Sequence, residues 1–184
     1  LCYYCDFYHV ISDDDNSLFI NSLKKEVDLR TNYLAGKTVS TIYLGGGTPS
    51  VFTAKEIGSI LDHLRQQFVV EEENEITIEL NPDDISREYL RELADTGVNR
   101  VSLGVQSWRD EDLKMMNRRH TAAQAHDALD KLSEAGFKNI EIKKTKVIEL
   151  PDEVLRDYIS DSEIELFKKN NTGIFSITVV GYKN

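Results

Sequence analysis

The sequence predicts an α/β fold built on parallel strands, and three observations carry that expectation. Strand-like and helix-period segments alternate along the chain; cap residues and glycines mark many of the junctions; and glycine-rich or unusual polar residues fall just after strands. Strand then helix, repeated, implies parallel pairing through helical crossovers. A βα barrel and an open doubly wound sheet both meet that rule, and both place ligands at the C-terminal ends of strands. Contributions from several consecutive strands fit a barrel mouth better than a single crevice.

The elements follow in order. Residues 16–35 carry Leu18, Phe19, Leu23, Val27 and Leu34 at helical spacing and end at Gly36. Residues 39–44 read as a strand. Thr53 and Glu56 form a capping box, opening a helix whose apolar face is Ile57, Ile60, Leu61, Leu64 and Phe68. Residues 75–80 alternate as a strand and stop at Asn81-Pro82. A helix over 86–96 turns Tyr89, Leu90 and Leu93 inward, with Gly97 as its cap. Residues 100–105 make another strand. Thr121 and Gln124 cap a helix ending at Gly136. A strand near 140–148, a helix near 152–170 and a strand near 174–182 complete the series.

Composition bounds the function. The 184 residues suit one domain or a large piece of one. A net charge of −10 argues against nucleic acid as the partner, since no basic stripe exists to neutralise phosphates. No apolar run approaches the ~20 residues that span a bilayer, and no signal-peptide pattern is visible. Two cysteines make no disulfide framework, which favours a reducing, cytoplasmic setting.

Four groups of residues carry chemistry. Cys2 and Cys5 are spaced to reach one centre, as ligands of an iron–sulfur cluster, half a zinc site or a redox pair. Gly45-Gly46-Gly47-Thr48-Pro49-Ser50 follows a strand directly. It is neither a P-loop nor a dinucleotide fingerprint, and three glycines are more than a turn requires, so it reads as a ligand-facing loop. Glu79 lies near a strand end, where a carboxylate beside glycine backbone suits an amino or hydroxyl group of a ligand, while the alternation alone would make it an outward charge. Gln106 ends a strand, while Arg118 lies in the polar cluster Asn117-Arg118-Arg119-His120. A guanidinium there suits a carboxylate, or simply a solvated helix end. Trp108 reads as core. His9, His63, His120 and His126 show no metal-ligand spacing and read as surface or structural. Asp13-Asp14-Asp15 reads as a solvated turn leading to a helix cap.

Taken together, these pieces resemble the radical S-adenosylmethionine (SAM) superfamily. Within it they resemble the oxygen-independent coproporphyrinogen III oxidase family, which holds the HemN oxidases and the HemW heme chaperones. Cys2 and Cys5 match the second and third cysteines of C-x-x-x-C-x-x-C. Gly45 to Ser50 matches the G-G-G-T-P loop, Glu79 the SAM-contacting glutamate, Gly104-Val105-Gln106-Ser107 the G-V-Q segment, and Arg118 an arginine that contacts SAM. The likeness runs from Leu1 to about Ile142. The oxidase branch has a further cysteine two residues after the last cluster ligand; Phe7 stands there. Cys-Asp-Phe-Tyr and Asn-Arg-Arg-His-Thr look like the HemW branch.

The resemblance implies a partial parallel (β/α)6 TIM-like barrel, incomplete at its N-terminus, because the first cluster cysteine and its strand would precede Leu1. It implies a 4Fe–4S cluster held in part by Cys2 and Cys5. SAM would lie against Gly45, Gly46, Gly47, Thr48, Glu79, Gln106 and Arg118. No residue is assigned a catalytic role. Reductive cleavage of SAM would give a 5′-deoxyadenosyl radical, used by the oxidases on porphyrinogen propionates. The HemW branch instead carries heme, and its delivery implies contact with a membrane surface or a respiratory protein. A heme-binding carrier without turnover and an inactive truncated fragment are the alternatives. The chain also departs from the family. Lys143 occupies the position of an aspartate, and the glycine before Leu150-Pro151 is absent, so residues 143–184 are expected to be a divergent part of one core domain spanning 1–184.

Overall fold

The computed structural model describes residues 2, 3, 5, 16–148, 151–157, 159–169 and 174–183, and the backbone alone at 143–148 and 174–176. Asp13 to Asp15 and His9 lie outside the described residues, as does the side chain of Lys143.

Helix α1 spans Ser17–Leu29 and strand β1 Thr38–Leu44. Helix α2 (Ala54–Gln67) opens on the expected capping box, in which Thr53 accepts from the Glu56 amide and the Glu56 carboxylate accepts from the Thr53 amide. Strand β2 runs Val69–Leu80, longer than the alternation predicts, because its first two residues pair with Thr38 and Val39 before an irregularity in the register. Ser86 caps α3 (Arg87–Asp95), and β3 covers Arg100–Gly104. A short helix α4 (Asp110–Met115) follows, then α5 (Ala122–Glu134) and β4 (Lys138–Ile148). The single helix expected over 152–170 is two, α6 (Asp152–Leu155) and α7 (Asp161–Lys169), before β5 (Ile174–Tyr182).

The strands form one sheet in the order β1-β2-β3-β5-β4. β1, β2 and β3 pair in parallel, joined by α2 and α3 as the alternation requires. β5 departs from that rule: it lies between β3 and β4 and runs antiparallel to both. The sheet is therefore parallel over its first three strands and mixed beyond them.

Side chains alternate across the sheet, so each strand feeds two faces. One face presents Ile76, Ile78 and Leu80 from β2 and Val101 and Leu103 from β3. They pack against Ile57 and Leu61 of α2, Leu90 and Leu93 of α3, and Ala125, Ala128 and Leu132 of α5. Val179 of β5 joins this core, with Phe137 beneath it. The other face carries Tyr43, Thr77, Glu79, Arg100 and Ser102. Arg100 donates to Thr77 Oγ1 at 3.1 Å and lies over the Tyr182 ring at 5.5 Å. An apolar face under helices and a polar opposite face match a barrel wall whose concave side is wet.

Helix α1 is shorter than its sequence pattern, and its buried residue is Ile20. Leu18 is exposed, Leu34 lies beyond the helix, and Phe19 stacks on Phe52 with ring centroids 5.7 Å apart. Leu23 and Val27 are half-buried on the Ile20 side, three and seven residues further on, whereas Leu18 and Phe19 lie off the face that packs. Leu113 of α4 and Met116, which ends that helix as its C-cap, form a second, small apolar cluster with Phe167 of α7.

Candidate functional site

The C-terminal ends of β1, β2 and β3 carry the candidate residues, and three hydrogen-bonded groups tie them together. The first follows β1. Gly46 has φ +108°, a conformation that side chains resist, and its N–H donates to Glu79 Oε2 at 3.2 Å. Tyr43 donates its hydroxyl to Glu79 Oε1. Burial, then the adjoining Glu79 carboxylate, pushes the Tyr43 phenol up to about 12. A Cβ on Gly45 would stand 2.4 Å from the Tyr43 ring and 3.1 Å from the Glu79 carboxyl carbon, so only glycine lets this loop close over β2. Gly47 has open space around it. Thr48 contributes backbone, its carbonyl accepting from Val51 N–H at 3.1 Å in the turn that starts at Pro49. Glu79 is thus no outward charge. Its carboxylate gathers the glycine loop onto the polar face.

The second group centres on Arg118, where four segments meet. Its Nη2 donates to Asn81 Oδ1 at 2.8 Å, just past β2, and to the Gly104 carbonyl at 3.1 Å, at the end of β3. Its Nη1 donates to Cys2 Sγ at 3.3 Å. His120 Nδ1 lies 3.4 Å from Nη2, while Nε2 of the same ring lies 3.0 Å from the Val105 carbonyl. Arg118 Nε is buried, with no hydrogen-bond partner among the described residues. Gln106 adjoins this group. Its backbone is left-handed at φ +60°, its N–H donates to the Ile177 carbonyl of β5 at 3.1 Å, and its side-chain amide crosses Gly104. Its Oε1 is a buried acceptor with no partner among the described residues, which suits a ligand that donates a proton.

The third group braces the other two. Asp84 Oδ2 accepts from Ser50 Oγ at 2.7 Å and from Asn81 Nδ2 at 3.3 Å, and Asp84 Oδ1 pairs with Arg119 at 2.6 Å. One carboxylate therefore joins the glycine loop, the end of β2 and the segment carrying Arg118.

Cys2 and Cys5 are free, half-buried thiols held in a turn by a Cys5 N–H to Cys2 carbonyl bond of 3.1 Å. The neighbouring Tyr3 N–H donates to the Met116 carbonyl at 3.2 Å, which docks this segment beside α4. Two soft sulfurs on one turn, one of them facing a guanidinium, fit two ligands of an iron–sulfur cluster. Among the described residues, no group of three or more His, Cys, Asp or Glu side chains converges to hold a metal by itself. No helix among them is long and apolar enough to cross a membrane.

All the sequence-predicted residues lie on this rim, with Thr48 acting through its backbone. Of the two places expected of the histidines, surface or structural, His120 takes the structural one. His120 is buried at 2% exposure and bonded into the site, whereas His63 pairs with Asp28 and His126 stacks on Trp108. Asn81, Asp84 and Tyr43 also belong to the site. The Asn-Pro stop after β2 was the one sequence signal pointing towards Asn81 and Asp84.

Residues 1–179 match the Radical SAM superfamily. The chain is 38% identical over 164 residues to the heme chaperone HemW of Lactococcus lactis subsp. lactis (strain IL1403), covering 89% of this chain and 42% of the relative. It is 30% identical over 144 residues to the oxygen-independent coproporphyrinogen III oxidase of Escherichia coli (strain K12), covering 77% and 32%. The solved structure of coproporphyrinogen III oxidase (HemN) from Escherichia coli superposes with a TM-score of 0.65 at 29% identity, over 73% of this chain and 31% of that one. The chain thus spans about two fifths of the length of the heme chaperone it matches.

Proposed function

The chain belongs to the radical SAM superfamily, and on that premise we propose that it is the cofactor-binding core of a HemW-like heme chaperone. The observation that carries the reading is Arg118, which bonds at once to the Cys2 sulfur, to Asn81 past β2 and to Gly104 at the end of β3. It stands between the thiols that would hold a cluster and the strand ends that would hold SAM.

Cys2 and Cys5 would supply two of the thiolates of a 4Fe–4S cluster. When bound, that cluster supplies the electron that cleaves SAM to a 5′-deoxyadenosyl radical. The protein's own groups do the positioning. Arg118 offers a cation to the SAM carboxylate, as guanidinium geometry favours. The Gly45 to Gly47 backbone allows close approach of the methionine end. Gln106 Oε1, without a donor among the described residues, takes a ligand N–H or O–H, and Glu79 holds the glycine loop in place. Residues 1–184 are read as one core domain, with 143–184 its divergent part. The burial of Val179 and Val180 supports including that part.

Heme is the proposed cargo, and a membrane-associated or respiratory acceptor is the proposed recipient, in the cytoplasm. Phe7, where the oxidase branch has cysteine, favours the chaperone over the second reading, an oxidase acting on a porphyrinogen. The test joins this chain to the cysteine-bearing N-terminal segment of a HemW relative and reconstitutes it anaerobically with iron and sulfide. Cluster absorbance and SAM binding are expected, and absence of both overturns the reading. Heme titration beside product analysis with coproporphyrinogen separates the branches: heme uptake without decarboxylation is expected.

A further inference from the structure

Arg118 is held more tightly than a surface arginine, and one of its holders is a histidine without an assigned role. His120 is 2% exposed. Its Nε2 faces the Val105 carbonyl at 3.0 Å. A carbonyl only accepts, so Nε2 carries a proton. In a neutral ring Nδ1 is then an acceptor, and the group facing it is Arg118 Nη2 at 3.4 Å, a donor.

We infer that His120 is a positioning residue, whose neutral Nε2–H imidazole anchors one corner of Arg118 and so aims the guanidinium between Cys2 and the strand ends. The inference deepens the proposed function and rests on Arg118 meeting SAM. Nη2 shares its two protons among Asn81, Gly104 and His120, and Nη1 gives one proton to Cys2 Sγ, which leaves the second Nη1 proton and the Nε–H without a partner among the described residues. The charged groups facing the ring are Arg118, Arg119 and Asp83, the last 3.9 Å from Nδ1 and itself paired with Arg119 at 3.0 Å. Burial first, and Arg118 second, lower the His120 pKa and keep the ring neutral. A protonated Nδ1 would point N–H against N–H.

Two substitutions divide the ring's functions. His120→Gln keeps a donor towards Val105 and removes the acceptor for Arg118. His120→Asn places a carbonyl oxygen near the Nδ1 position and gives up Val105. Nitrogen-15 NMR of the intact chain is expected to show His120 with a proton on Nε2 and none on Nδ1, and slowed rotation of the Arg118 guanidinium that His120→Gln releases. In SAM titrations of the same variants joined to the cysteine-bearing segment and reconstituted as above, His120→Gln is expected to weaken binding about tenfold and His120→Asn by less than about threefold. On an Arg118→Ala background, His120→Gln is expected to cost nothing more. A proton on Nδ1, or an equal loss with and without Arg118, overturns the inference. Absence of SAM binding by the joined and reconstituted parent would instead count against the proposed function, and the NMR observations would still decide the role of His120.

Discussion

Gly46 donates its backbone N–H to Glu79 Oε2 at 3.2 Å, so the loop after β1 is closed by a carboxylate from the end of β2. The same carboxylate takes the Tyr43 hydroxyl, and Tyr43 titrates at about 12. Its raised pKa means that the folded state favours the protonated phenol. That stabilisation is complete below the unfolded value of 10.0 and is lost as pH rises through about 12. Glu79→Gln removes the second cause and leaves the first, burial. The Tyr43 pKa is therefore expected to fall while remaining above 10.0. Tyrosinate absorbance, referenced to a Tyr43→Phe protein because the chain has eight tyrosines, reads the shift. An unmoved titration would show that the carboxylate does not govern the phenol.

The three loop glycines are expected to respond differently to alanine. Gly46→Ala forces a side chain to φ +108° and should cost about 1–3 kcal/mol. Gly45→Ala drives a methyl group into the Tyr43 ring, which must swing away and release Glu79. Gly47→Ala meets no atom within 4 Å and should leave stability within about 0.5 kcal/mol. Urea denaturation ranks them. A Gly47 variant as damaged as the Gly46 variant would contradict the loop geometry.

Much of this site was legible in the chain because backbone-demanding residues announce themselves. Glycine runs, the Asn-Pro stop and the two capping boxes located the strand ends and the starts of α2 and α5. The direction of β5 was not legible. Alternation encodes which face a side chain takes, and it is the same for parallel and antiparallel strands. The contact of His120 with Arg118 was not legible for a related reason: its partner at Val105 is a backbone carbonyl, which leaves no mark on the sequence. Helix α4 is too short for a periodicity to show, yet its C-cap residue Met116 supplies the carbonyl that receives the cysteine segment. Glu79 was ambiguous because strand alternation cannot distinguish a solvated face from a polar concave one.

Asp84 accepts from Ser50 and Asn81 and pairs with Arg119, and these contacts differ in worth. Arg119 is 63% exposed, so its ion pair should contribute less than about 1 kcal/mol. Ser50 is buried at 7% exposure, and its hydroxyl would lose its acceptor in Asp84→Ala. That variant should lose about 1–3 kcal/mol. Adding Ser50→Ala removes the stranded hydroxyl and also the 3.3 Å acceptor of the Asn81 N–H, so the double variant should lose less than the sum of the two single variants. Denaturation of the single and double variants tests it. Losses that simply add would place the value of the contact elsewhere.

His120 should also make the fold sensitive to mild acid. Its pKa in the folded chain lies below the ordinary 6.5, chiefly through burial and then through Arg118. The unfolded chain therefore takes up a proton at this residue before the folded chain does. Stability rises with pH wherever the unfolded state holds more protons. The contribution is intact above 6.5 and declines as pH falls from there through the lower folded value. Asp83, 3.9 Å from Nδ1, acts against the decline, while Arg118 and Arg119 act with it. Denaturation midpoints between about pH 7 and pH 5 should fall for the parent chain and change less for His120→Gln, which has no titrating ring. Parallel slopes for the two proteins would mean that His120 takes up its proton alike in the folded and unfolded chains, so the fold would not favour the neutral acceptor facing Arg118.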